Sequence, residues 1–146
     1  RPARRVVRKG AVLAVVAAAL AAGGWAAWRS VRGGFRLSGS VIASPRLQRI
    51  IETPNMVLFV VAENAGGVPI AVKRFVNPRL PLDWRMGPDD LVLPGRDWSG
   101  TLSVHVDVNS HDRIGNPVPG DLYGSHRHPV RSGDGAVDVI VDSEIR

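Results

Sequence analysis

GTLSVHVDV, Gly100–Val108, decides the class of fold. Leu102, Val104, Val106 and Val108 fall on one side of an extended chain, and Thr101, Ser103, His105 and Asp107 fall on the other. Strict alternation of this kind belongs to a strand with one face in a core and one face in water. A second stretch, NMVLFVVAE (Asn55–Glu63), is an unbroken apolar run between Pro54 and Asn64-Ala65-Gly66-Gly67. That is the pattern of a central strand covered on both faces and followed by a turn. Ile70–Val76 begins after Pro69, with Ala71-Val72 reading as inward and Lys73-Arg74 breaking the run, so the two stretches form a hairpin over the glycine turn.

The remaining elements follow by working outward. Phe35, Leu37, Gly39 and Val41 alternate with Arg36, Ser38 and Ser40, a first strand. Ser44 is a helix N-cap with Pro45 at the first helical position, and Leu47, Ile50 and Ile51 continue at helical spacing for one or two turns. Leu80–Met86 is a short strand that Pro78, Pro81 and Pro88 confine to an edge, and Leu91–Pro94 is another brief one. Asn109–Gly135 is rich in Gly, Pro, His and Asp without periodicity and reads as one long loop, of the kind that is functional or ordered by a partner. Ala136–Asp142 (AVDVIVD) closes the chain as a strand. Five to seven short strands predict a mainly β fold, a small antiparallel β-sandwich or open barrel.

One transmembrane α-helix is predicted ahead of it. Gly10–Trp28 (GAVLAVVAAALAAGGWAAW) carries no charge, with Arg8-Lys9 before it and Arg29 after it. As a helix it would reach about 27–28 Å, close to the ~30 Å of bilayer hydrocarbon. A signal peptide shares this plan of basic, apolar and small-residue regions, and Arg4-Arg5 resembles a twin-arginine export signal except that Arg8 stands where an apolar residue belongs. The segment is read as a retained anchor. The organisation is then a basic cytoplasmic tail (1–9), the span (10–28), a linker (29–34) and a periplasmic β-domain (35–146). Five basic residues precede the span and three follow it within eight positions, which keeps the N-terminus in the cytoplasm of a bacterial inner membrane. Arg8, Lys9, Trp25, Trp28 and Arg29 are the expected contacts with membrane lipid at the interfaces. Ala14, Ala18 and Ala22, with Ala19, Gly23 and Ala27, repeat at every fourth position and would admit a partner helix closely.

Composition excludes several functions. The chain of 146 residues has no cysteine, which removes disulfides, thiolate metal sites, a cysteine nucleophile and covalent haem attachment. Its net charge of +6 is unevenly distributed, because eight of the 19 basic residues and none of the 13 acidic ones lie in residues 1–36. The β-domain is therefore faintly acidic, and a nucleic-acid partner, which needs a basic patch on the domain, is rejected.

Several short motifs together resemble a known family. Val68-Pro69-Ile70-Ala71-Val72-Lys73-Arg74 is similar to its "P-[LI]-A-V-x-R" strand, and Leu80-Pro81-Leu82 with Pro94-Gly95 to its "L-P-[LF]…[ML]-x-P-G" segment. Asn116–Gly124 (NPVPGDLYG) resembles its "P-x-P-G-D-L-x-G" loop, and Val137–Asp142 its closing strand. The family is the C-terminal periplasmic domain of the cytochrome c-type biogenesis proteins that hold apocytochrome for haem ligation. The resemblance spans Phe35 to Asp142. Members normally carry tetratricopeptide repeats between membrane and domain, and those repeats grip the cytochrome; here only Arg29–Gly34 intervene. The resemblance implies a β-module working beside c-type cytochromes, without that grip.

The chemistry-bearing residues point away from catalysis. His126-x-His128 could chelate a metal with His105, Asp107 or His111 nearby, but a competent site needs three or four ligands and the plainer reading is solvated loop histidine. Asp89-Asp90 lies in a Pro-Gly turn, where Asp bonds the backbone. No nucleophile elbow surrounds Ser99, Ser103 or Ser110, and no phosphate loop is present. No enzyme activity and no cofactor are expected. The expectation is an accessory or docking subunit of a bacterial membrane electron-transfer complex, respiratory or photosynthetic, with a c-type cytochrome subunit as partner. Trp84, Trp98, Asp121, Leu122 and Tyr123 are its candidate contacts, although in a small sandwich a tryptophan is more often core or a lid on the core than a binding anchor. The alternatives are an assembly factor in cytochrome c maturation and a periplasmic metal-binding domain.

Overall fold

The computed structural model describes residues 34–92 and 98–146. The predicted span Gly10–Trp28, its interfacial residues Arg8, Lys9, Trp25, Trp28 and Arg29, and the small-residue positions Ala14, Ala18, Ala22 and Gly23 lie outside them. Among the described residues no helix is long and apolar enough to cross a membrane.

Eight strands and one short helix follow in order: β1 (Leu37–Ala43), α1 (Pro45–Ile51), β2 (Val57–Glu63), β3 (Pro69–Val76), β4 (Leu82–Met86), β5 (Ser103–Asn109), β6 (Leu122–Ser125), β7 (Val139–Val141) and β8 (Ser143–Glu144). They form a three-stranded sheet in the order β4-β1-β7 and a five-stranded sheet in the order β3-β2-β5-β6-β8. One core joins the two. Leu37, Val41, Trp84, Met86, Val139 and Val141 from the smaller sheet pack with Leu58, Val60, Val104, Val106, Val108 and Leu122 from the larger. Each such side chain withdrawn from water contributes roughly 1.5–3 kcal/mol. The architecture is β-sandwich-like.

Local chemistry explains the elements. The Ser44 hydroxyl accepts from the Leu47 N–H, Pro45 opens the helix, and Leu47 and Ile51 face the core. At its far end the Glu52 carboxylate accepts from the Leu80 N–H at 2.9 Å and anchors the β3–β4 connection. The β2–β3 hairpin forms as expected, because Asn64 Oδ1 accepts from both Gly66 and Val68 N–H and Gly67 takes a positive φ of 75°. β4 is an edge strand, as its flanking prolines require.

Three expectations are corrected. The strand expected over Ala136–Asp142 is β7, which pairs with β1 in parallel, so the smaller sheet is not wholly antiparallel, and β8 follows it as the last strand. Asn109–Gly135 is not a continuous loop, since β6 forms within it against β5 and Val130 bridges Leu102. Four residues that include a glycine show no periodicity to read. In β3 the inward side carries Ala71 but not Val72, which packs on the opposite face of the sheet.

The C-terminal segment links the sheets. After pairing with β1 it passes to the larger sheet, where β8 pairs with β6 and the Ile145 N–H donates to the Asp121 carbonyl at 2.8 Å. Its backbone runs so close that a Cβ on Gly39 would collide with the Val137 carbonyl oxygen, and one on Gly124 with that of Ile140. Both positions therefore require glycine. Gly39→Ala and Gly124→Ala should each destabilise the protein by about 3 kcal/mol through overpacking against backbone. Gly100→Ala, where a Cβ meets nothing within 4 Å, should stay within about 0.5 kcal/mol. Chemical denaturation of the three variants checks this.

Candidate functional site

The larger sheet has a second covered face. Opposite the main core, Val57, Phe59 and Val61 of β2 are buried with Val72 of β3 and with Ile114, which belongs to the segment between β5 and β6. That segment, residues 110–121, folds back over the sheet as a strap.

Polar groups pin the strap at each end. Asn109, only 3% exposed, donates through Nδ2 to the Arg113 carbonyl and accepts from the Asp112 N–H through Oδ1. This holds Asp112 at a φ of 57°, a conformation that Asp tolerates better than most residues. Arg74 on β3 then grips Asp112 with two charged hydrogen bonds, Nε to Oδ1 at 2.7 Å and Nη2 to Oδ2. The bond from Arg74 keeps the Asp112 carboxyl below the usual carboxylate range, and the adjacent positive charge adds to the effect. At the other end Asp121 Oδ2 lies 2.8 Å from His111 Nε2 and accepts from the Val118 N–H at 2.9 Å.

Between strap and sheet lies a cleft of about 230 Å³, bordered by Asp107, Arg113, Asn116, Asp121 and Tyr123 among others. Tyr123 stands opposite Asp107 across the β5–β6 pair and is 39% exposed. Val118, at the strap's turn, is 46% exposed. The site thus offers an aromatic ring and an aliphatic side chain beside a largely apolar cleft with Asp107, Asn109, Arg113, Asn116 and Asp121 in its lining.

His105 lies on the same face of β5, between two carboxylates. Its Nε2 is 3.5 Å from Asp107 Oδ2, and its Nδ1 is 3.6 Å from Glu63 Oε1. Interaction with Asp107 raises its pKa above the ordinary 6.5 against the opposing effect of burial, and the charges of Asp107 and Glu63 raise it further.

The structure separates the candidate residues named from sequence. Asp121 organises the strap from within, Leu122 is buried, and Tyr123 alone of that trio presents its side chain openly. Trp84 lies in the core at 2% exposure, and its Nε1 has no hydrogen-bond partner among the described residues. Trp98 is partly buried and packs against the core, with its ring 5.6 Å from Phe35. His126 and His128 approach each other at 6.2 Å, and His126 Nδ1 donates to the Asp138 carbonyl. Among the described residues no group of three or more His, Cys, Asp or Glu could hold a metal ion. Ile114, Arg74 and Asp112 were not legible as site residues, because nothing local in the sequence marks a strap whose contacts lie some 40–55 residues away.

No family model, curated protein or solved structure matches this chain.

Because the fold favours protonated His105, the stabilisation it supplies is complete below the unfolded value of 6.5 and is lost as pH rises through the higher folded value. NMR titration should place the His105 midpoint above 6.5. Unfolding free energy should fall as pH rises from about 6.5 through the higher folded midpoint, and His105→Gln should flatten that part of the profile.

Proposed function

We propose that this chain is a non-catalytic docking module held in a bacterial inner membrane by the apolar span Gly10–Trp28. Its N-terminus is cytoplasmic and its β-domain periplasmic. The outer face of the larger sheet receives a neighbouring subunit of a membrane complex. The observation that carries the reading is the strap and the strand beside it: Val118 is exposed on a segment fixed by Asn109, Arg74–Asp112 and His111–Asp121, and Tyr123 is exposed on the adjoining β6. A surface already held in one conformation loses little entropy on binding, and exposed aromatic anchors beside polar groups are what contact hot spots use.

The resemblance to the cytochrome c-type biogenesis domain supports a c-type cytochrome subunit as the neighbour. The every-fourth-residue small side chains of the span support a partner helix in the membrane. Purification of the full chain from native membranes in mild detergent should recover it in fixed stoichiometry with a haem-staining polypeptide. Val118→Asp and Tyr123→Ala should reduce that recovery at least about tenfold, as loss of contact hot spots does. A chain that migrates alone, or recovery indifferent to both substitutions, would refute the proposal.

A further inference from the structure

Among the described residues, strand β4 is paired along one side of its backbone only. Its inner neighbour is β1, and among the described residues no other segment forms a backbone hydrogen bond with Leu82–Met86. The comparable edge at β3 is partly covered, because Ala71 bridges Leu91 and the Val92 N–H donates to the Ile70 carbonyl. A groove of about 520 Å³ borders β4, with Asp83 and Arg85 in its lining and Lys73 and Phe75 of β3 contributing as well. Unpaired strand groups of this kind are a template for another extended chain.

The side chains specify which chain. Along Leu82-Asp83-Trp84-Arg85-Met86, Trp84 and Met86 turn into the core while Asp83 and Arg85 are exposed. Suppose two copies of β4 pair antiparallel about a two-fold axis at Trp84. Asp83 of each copy then stands opposite Arg85 of the other, and Leu82 stands opposite Met86. Directly opposed side chains on one face lie about 4.5–5.5 Å apart at Cβ, within reach of opposite charges.

Other registers are disfavoured. An axis at Arg85 sets Arg85 against Arg85, and an axis at Asp83 sets Asp83 against Asp83. A slip by one residue places the core-facing side of one strand beside the solvent-facing side of the other. Pro81 and Pro88 stand just outside the strand and limit the pairing to these five residues. The same two charges that would repel a foreign strand in most registers attract a second copy in this one.

We propose that β4 is a self-association edge, through which two copies of this chain join their three-stranded sheets into a continuous six-stranded sheet in the order β7-β1-β4-β4-β1-β7. The contact is isologous, so each interface contains the Asp83–Arg85 pair twice. This is independent of the strap surface, which belongs to the other sheet.

The test is sedimentation of the full chain in density-matched detergent over a range of concentrations, comparing four proteins. The unaltered chain should dimerise, and added salt should weaken the dimer. Asp83→Arg and Arg85→Asp should each weaken it at least about tenfold, because each places like charges opposite one another twice. The doubly exchanged chain, Asp83→Arg with Arg85→Asp, should recover to within about threefold of the original, as a directly coupled pair does. Recovery excludes misfolding as the cause of the single-variant losses. A monomer at every concentration would overturn the proposal. So would a dimer that ignores the single exchanges, as association through the apolar N-terminal stretch would, or one that the double exchange fails to restore.

Discussion

The carbonyl oxygens of Val137 and Ile140 occupy the space where side chains at positions 39 and 124 would begin. This constraint lets a single extended segment lie against both of the sheets that the shared core joins. The segment pairs with β1 through Val139–Val141 and with β6 through Ser143–Glu144, so its backbone groups are satisfied by the two sheets in turn. Closing the sandwich with the chain's own backbone also leaves fewer exposed strand edges on that side. The price is that both glycines lose any freedom to vary.

The strap depends on the same closure. Asp121 precedes β6 directly, and while its side chain bonds His111 and the Val118 N–H, its carbonyl accepts from Ile145 beyond β8. Ile145 also borders the cleft. The residues that present Val118 and Tyr123 are thus positioned by the C-terminal segment from one side and by Arg74 and Asn109 from the other. Buried or paired polar groups of this sort hold a loop in one arrangement, because leaving any of them unmatched carries a penalty of about 1–3 kcal/mol.

Much of this was legible where the signal is local. The alternation of Gly100–Val108 gave β5 and its core face, with Val104, Val106 and Val108 buried, but the face read as wet is only partly so, since Ser103 is exposed while His105 and Asp107 are half-buried. Ser44-Pro45 announced α1, and Asn64–Gly67 announced the hairpin turn, since capping and turn chemistry act over three or four residues. What stayed hidden depends on distant pairing. Nothing in AVDVIVD says that it will run parallel to a strand almost a hundred residues earlier, and nothing in Ile114 says that it will cover Phe59. Leu122 and Tyr123 are neighbours in one motif, yet strand geometry sends the first into the core and the second outward. Trp84 reads as core before it reads as a contact, and pairing with Gly39 places it inside.

Removal of Val139–Arg146 tests the central claim most directly, with cooperative unfolding followed by intrinsic tryptophan fluorescence. The account predicts that the truncated chain loses its cooperative transition, because no C-terminal segment then pairs with both sheets and the strap loses its support at Asp121. A truncated chain that still unfolds cooperatively, with the midpoint of the full chain, would contradict it.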